Sequence, residues 1–149
     1  MRERDIVFMN RALELARLAY EAGEIPVGAV VVKDGEIIAE GYNLRQTDKL
    51  ATAHAEILAI EAACSKLGGW RLSGCTLYVT LEPCPMCAGA IINSRIDRVV
   101  YGIEDAKAGC LGSVINFNSY PFNHAFEVER GVCADECAAI LREFFAQRR

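Results

Sequence analysis

At 149 residues, 52% of them apolar, the chain is long enough to bury a sizeable core and short enough to be read as one domain over 1–149. A formal net charge of -4 excludes a surface that wraps nucleic acid by wholesale phosphate neutralisation, so any such contact is confined to a local basic patch drawn from Arg95, Arg98, Lys107 and the Arg148-Arg149 end. Seven cysteines at uneven spacings, in a chain that needs no staples to fold, favour metal or redox chemistry in a reducing cytoplasm over a disulfide framework; no run is apolar and long enough to span a membrane.

In chain order, Val7, Ala12, Leu15, Ala16 and Ala19 recur at helical spacing between Asp5 and Glu21, with Gly23 placed to end the turn, which predicts an amphipathic first helix. Pro26 to Lys33 is short and β-branched, Asp34-Gly35 is a hairpin turn, and Glu36 to Tyr42 returns with Ile37 and Ile38. Asn43 to Ala53 is polar and aperiodic and reads as a loop. His54 to Lys66 is alanine-rich and helical and is closed by Gly68-Gly69. Thr76 to Leu81, Cys84 to Ser94 and Arg98 to Ile103 give a strand, a helix and a strand, hence a parallel pair joined by a crossover. Glu104 to Asn123 is rich in Gly and Asn and reads as irregular or only briefly helical; a strand near Phe126 to Glu129 and a helix from Ala134 to about Ala146 follow. The pattern is an α/β chain with a mixed sheet and helices on both faces.

Two short motifs carry chemistry. His54-Ala55-Glu56 and Pro83-Cys84-Pro85-Met86-Cys87 each open a predicted helix, and cysteines at i and i+3 share one helix face. A helix N-terminus favours negative charge, so both thiols are expected to have lowered pKa values and to be held as metal-binding thiolates. His54, Cys84 and Cys87 make three protein ligands for zinc, and the open fourth position separates a catalytic site from a closed structural one. A zinc ion so held makes water nucleophilic near neutral pH, and Glu56, two residues from His54, is placed to move the protons without binding the metal. The other histidine, His124, lies in an irregular segment. Cys64, Cys75 and Cys110 read as small core or loop residues, and Cys133 and Cys137 as packing positions on the last helix.

Beyond these motifs the chain carries Pro26-Val27-Gly28-Ala29-Val30, Thr52-Ala53-His54-Ala55-Glu56, Thr80-Leu81-Glu82-Pro83-Cys84, Ala88-Gly89-Ala90 with Ser94-Arg95, Asp105-Ala106-Lys107 with Gly109, and Ala134-Asp135-Glu136-Cys137-Ala138. Over almost its whole length it thereby resembles the zinc deaminases of the cytidine deaminase superfamily, and among them the bacterial tRNA-specific adenosine deaminases. The resemblance implies a three-layer α/β/α sandwich on a mixed five-stranded sheet. It implies conversion of adenosine to inosine at the wobble position of a tRNA, with one zinc per subunit on His54, Cys84 and Cys87 and with Glu56 first as base and then as acid. The implied partners are a tRNA anticodon stem-loop and a second copy of the chain, the metal-bearing helices lying near that copy. Carried over residue by residue, Asn43 hydrogen-bonds the flipped base or its ribose and Val27 and Ala55 line the base pocket. Asp105 and Lys107 touch neighbouring nucleotides. Phe145, with Phe144, shapes the anticodon cradle, and Asn123-His124 lies near the RNA.

Two departures accompany the resemblance. Leu50-Ala51 stands where better-known members carry Asp-Pro, which is expected to loosen the loop after Asn43. Pro85 between the cysteines also occurs in relatives that act on free guanine or cytosine, so the metal motif alone leaves open a deaminase of a free base or nucleoside. A zinc-stabilised RNA-binding module without catalysis is the third alternative.

Overall fold

The computed structural model describes residues 2–148; Met1 and Arg149, the last position of the basic end, lie outside the described residues. Helix α1 spans Arg2–Glu21 and starts before the expected Asp5, with Glu3 and Asp5 in its first turn where the helix dipole favours negative charge. Gly23, at φ 79°, ends the turn that follows. Strands β1 (Gly28–Lys33) and β2 (Glu36–Tyr42) form the hairpin. Asp34 and Gly35 at φ 53° and 78° make the left-handed two-residue turn that suits the strand twist. Helix α3 (Ala55–Leu67) stops at Gly68, strand β3 covers Cys75–Leu81, helix α4 covers Pro85–Ser94 and strand β4 covers Arg98–Ile103. One 3-10 turn, Phe117–Ser119, interrupts the irregular segment before strand β5 (Glu127–Arg130) and helix α5 (Ala134–Gln147).

One expectation is corrected. The 43–53 segment is not a loose loop: Arg45–Asp48 forms the short helix α2, whose first N–H groups are taken up by the buried carboxylate of Glu24. Gln46 and Thr47 donate backbone N–H to it at 3.1 and 2.6 Å, and the Thr47 hydroxyl adds a third bond at 2.6 Å. An acceptor 22 or more residues away in sequence thus does the capping, which local periodicity does not show.

The sheet order is β2-β1-β3-β4-β5, with β1 antiparallel to both β2 and β3, while β3, β4 and β5 run parallel. Alternation along the strands splits the core in two. Ala29, Val31, Leu77, Val79, Val99 and Tyr101 face α3 and α4, whereas Val30, Val32, Tyr78 and Val100 face α1 and α5. This is the expected three-layer α/β/α sandwich on a mixed five-stranded sheet. Two glycines let helix backbone come down on strand backbone. A Cβ at Gly28 would overlap the Ala12 carbonyl of α1, and one at Gly41 would stand 2.6 Å from the Ala55 carbonyl of α3. At the far end from the motifs, buried Asp5 accepts from Arg98 at 2.9 and 2.8 Å and from the Tyr78 hydroxyl at 2.7 Å, tying α1 to β3 and β4. Among the described residues no helix is long and apolar enough to cross a membrane.

Candidate active site

The two motifs meet because α3 and α4 pack on the same face of the sheet with their starts together. His54 and Cys84 are the N-caps of these helices, both with extended backbone (φ -78°), and Pro85 supplies a preset φ at the first helical position of α4. That places Cys87 in the first turn, beside Cys84. One ligand atom each from His54, Cys84 and Cys87 lies within 4.8 Å of the others, and both sulfurs stand 3.6 Å from His54 Nδ1. A tetrahedral ion with bonds of about 2.3 Å to sulfur and about 2.0–2.1 Å to nitrogen separates those atoms by about 3.6 Å. Both sulfur-to-nitrogen sides of the triangle therefore have the length such an ion requires. His124 takes no part: its Nε2 is 2.7 Å from the Ile96 carbonyl.

The electrostatics set the two thiols apart. Cys84 is lowered to about 4, first by the hydrogen bond that Cys87 donates and then, against the cost of burial, by His54. His54 is raised, chiefly by its hydrogen bond to Cys84. Cys87 is raised rather than lowered, because its proton is the one shared with the Cys84 thiolate and because it is buried. Two adjacent sulfurs that share one proton do not ionise together, so one thiol is lowered and the other raised. Glu56, in the first turn of α3 and 4% exposed, is raised to about 7 by burial. A carboxyl that titrates near neutrality can both take up and release a proton.

Beside the triangle lies a cavity of about 180 Å³ whose lining includes Val27, Asn43, His54, Ala55, Glu56, Cys84 and Asp105. Of the sequence candidates for substrate contact, Val27, Asn43, Ala55 and Asp105 are thus gathered here. Asn43 is fixed: its amide donates to the Ile25 carbonyl and accepts from the Arg45 N–H, both at 3.2 Å. Lys107 and Phe145 do not line this cavity. Lys107 is exposed, its N–H held by the Asp105 carboxylate at 3.0 Å. Phe145, 48% exposed, lines a neighbouring cavity of about 280 Å³ that shares Ile25, Asn43 and Arg45 with the first, while Phe144 beside it is buried. The pocket also contains Ile25, Arg45 and Glu82, which the sequence reading did not single out as contacts. Arg45 had one signal, its place two residues after Asn43; the roles of Glu24 and Glu82 as anchors had none, since their partners are distant in sequence.

The MafB19-like deaminase family model matches residues 3–149. The tRNA-specific adenosine deaminase of Bacillus subtilis (strain 168) is 51% identical over 146 residues, covering 97% of this chain and 91% of its own. The chain belongs to the family of tRNA-specific adenosine deaminases. The fold of this family member agrees with that of a solved protein from a study of A-to-I editing by tRNA:A34 deaminases at the wobble position, with a TM-score of 0.88 and 49% identity over 90% of this chain and 98% of that one. The guanine deaminase of Nitrosomonas europaea shares the architecture at a TM-score of 0.80 but is 30% identical, over 95% of this chain and 84% of that one. Membership of a deaminase family, together with the clustering of His54, Cys84 and Cys87, points to a metal site here.

Proposed function

We propose that this chain is a zinc-dependent deaminase that hydrolyses adenosine to inosine at the wobble position of a tRNA, binding the anticodon stem-loop. The observation that carries the reading is the triangle of His54, Cys84 and Cys87, sized for a tetrahedral ion, next to a buried Glu56 on the wall of a cavity. The 49–51% identity to proteins described as acting on tRNA favours that substrate over a free base, for which the named relative is 30% identical.

Zinc would be held, one per subunit, by His54 Nδ1 and the two sulfurs, and when bound supplies the Lewis acidity that makes water a nucleophile near neutral pH. The chain's own residues do the rest. Glu56 accepts a proton from the attacking water and delivers it to the departing amino group, so that water and adenosine give inosine and ammonia. Val27 and Ala55 flank the base, and Asn43 presents an amide already fixed on the backbone. Asp105 and Lys107 stand where the nucleotides next to the reacting base would lie, and Phe145 offers an exposed ring for stacking in the adjoining cavity. Residues 1–149 act as one deaminase domain in the cytoplasm, and the active unit is a homodimer; a fully active monomer in sedimentation at micromolar concentration would refute the dimer.

The deciding experiment incubates the purified protein with a tRNA anticodon stem-loop and with free guanine, cytosine and adenosine, and maps inosine in the RNA. Inosine at the wobble position is expected, and its loss in Glu56→Ala with the metal retained. Turnover confined to free bases would overturn the tRNA reading, and full activity of Glu56→Ala would overturn the proton-transfer role.

A further inference from the structure

Glu82 follows β3, lines the pocket and is 2% exposed. Its carboxylate is the meeting point of both ends of the 105–113 segment. Oε1 accepts from the Asp105 N–H at 3.0 Å and from the Ser113 hydroxyl; Oε2 accepts from the Leu111 N–H at 2.9 Å and the Ser113 N–H at 3.1 Å. Four donors thus meet the four lone pairs a carboxylate can offer. The segment so fastened puts Asp105 and Ala108 into the pocket lining, and the Asp105 carboxylate in turn accepts from Lys107 and Ala108 N–H at 3.0 and 3.2 Å. Gly109 lies against the anchor: a Cβ there would overlap the Glu82 carboxyl and stand 2.6 Å from the Asp105 carbonyl.

We propose that Glu82 is a positioning residue for the deamination, a buried carboxyl group whose four hydrogen bonds fix the Asp105 to Ala108 wall against the substrate through the backbone of the 105–113 segment. The inference rests on the tRNA deaminase reading above.

Glu82→Gln separates the two halves of the anchor. Placed at Oε2, the new NH₂ would face two backbone N–H groups that cannot turn away. Placed at Oε1, it faces one such N–H, that of Asp105, and a Ser113 hydroxyl that can rotate and accept. The glutamine therefore keeps Leu111 and Ser113 and releases Asp105. The test measures kcat and KM on an anticodon stem-loop, zinc content, and amide hydrogen exchange, for wild type and Glu82→Gln side by side. KM should rise about tenfold or more with kcat changed less than about threefold, because binding and not the chemical step loses its wall. Zinc content should be unchanged, and faster exchange should be confined to 105–108. Unchanged KM, loss of kcat at constant KM, or loss of zinc would each overturn the proposal. Where the glutamine variant does not fold, the wild-type amides decide: protection of Asp105 alongside Leu111 and Ser113 is expected, and fast exchange at Asp105 overturns the anchor. Wild-type protein that folds and binds zinc but leaves the stem-loop unchanged refutes the tRNA reading instead, while the amide measurement still tests the anchor.

Discussion

Gly41 is where the helix that opens the metal site rests on the sheet, and adding one methyl there tests whether that seat sets the catalytic geometry. A Cβ at Gly41 would stand 2.6 Å from the Ala55 carbonyl oxygen, 2.8 Å from the Ala59 nitrogen and 3.0 Å from Leu58 Cβ. Two of these atoms are helix backbone, so no side chain can swing aside and α3 itself must lift. Ordinary contact begins at 3.4 Å, so relief of the tightest approach needs a displacement of about 0.8 Å, the difference from 2.6 Å. Ala55 lies between His54 and Glu56, and the shift is delivered at once to the proposed ligand and the proposed proton carrier. Overpacking of this kind costs about 1–3 kcal/mol of stability. A misplacement near 1 Å in an active site costs up to about 100-fold in rate, so Gly41→Ala should lose about 10- to 100-fold in kcat/KM on the stem-loop. Zinc should bind more weakly, and the urea midpoint should fall in step with the stability cost. Gly69→Ala, with nothing within 4 Å of the added methyl, is the matched control and should be near wild type. Wild-type activity and zinc affinity in Gly41→Ala would refute the argument that α3 is seated rigidly on β2.

Cys87→Ser replaces a ligand sulfur by a hydroxyl that keeps its proton, so zinc content should fall below one per chain and deamination should be lost; stoichiometric zinc in the variant would remove Cys87 from the ligand set. Asp5→Asn should cost about 2–3 kcal/mol in urea unfolding at neutral pH, less than a fully buried pair because Arg98 keeps partial contact with water. The hydrogen bond from Arg98 holds Asp5 below the ordinary carboxylate value of 3.8. Its stabilisation is therefore complete above that unfolded value and lost as pH falls through the lower folded one, and the variant should lack that part of the acid limb; identical pH profiles would contradict this. Phe144→Ala, at a buried ring, should cost about 3 kcal/mol or more of stability. Phe145→Ala should leave stability within about 1 kcal/mol yet raise KM for the stem-loop, by up to the 1–3 kcal/mol of a base–aromatic stack. Equal behaviour of the two variants would deny the division between core and RNA contact.

Much of the fold is legible because its signals are local. The β-branched run of β1, the Asp34-Gly35 turn and the alanine-rich α3 closed by Gly68 depend on residues within a few positions of one another, and each element forms where the pattern places it. Pairing of β3 with β4 follows from the helix between them. The miss at Arg45–Asp48 is of another kind. Nothing in Arg45-Gln46-Thr47-Asp48 is periodic, and the turn is held by Glu24 arriving from the end of α1. The Leu50-Ala51 departure was expected to loosen this segment; the Leu44 N–H to Ala53 carbonyl bond at 3.0 Å and the Leu50 N–H to Arg45 carbonyl bond at 3.1 Å, together with Glu24, tie it down without the Asp-Pro pair.

The site divides in the same way. The convergence of His54, Glu56, Cys84 and Cys87 is legible because metal chemistry demands particular atoms at particular spacings, and a helix start is the local structure that presents them. The walls are not, because their rigidity comes from two carboxylates whose partners are backbone groups far along the chain: Glu24 for the 46–47 wall, Glu82 for the 105–113 wall. A buried Glu normally signals an ion pair or a proton-transfer role, and here only Glu56 fits the second. The difference lies in what surrounds each. Glu24 and Glu82 each accept several N–H and O–H bonds and are held ionised, while Glu56, with fewer such donors against its burial, titrates near 7. Three glutamates of equal charge on paper thus part into two fasteners and, on the proposed mechanism, one proton carrier, and the balance of burial against donors at each carboxylate makes the division.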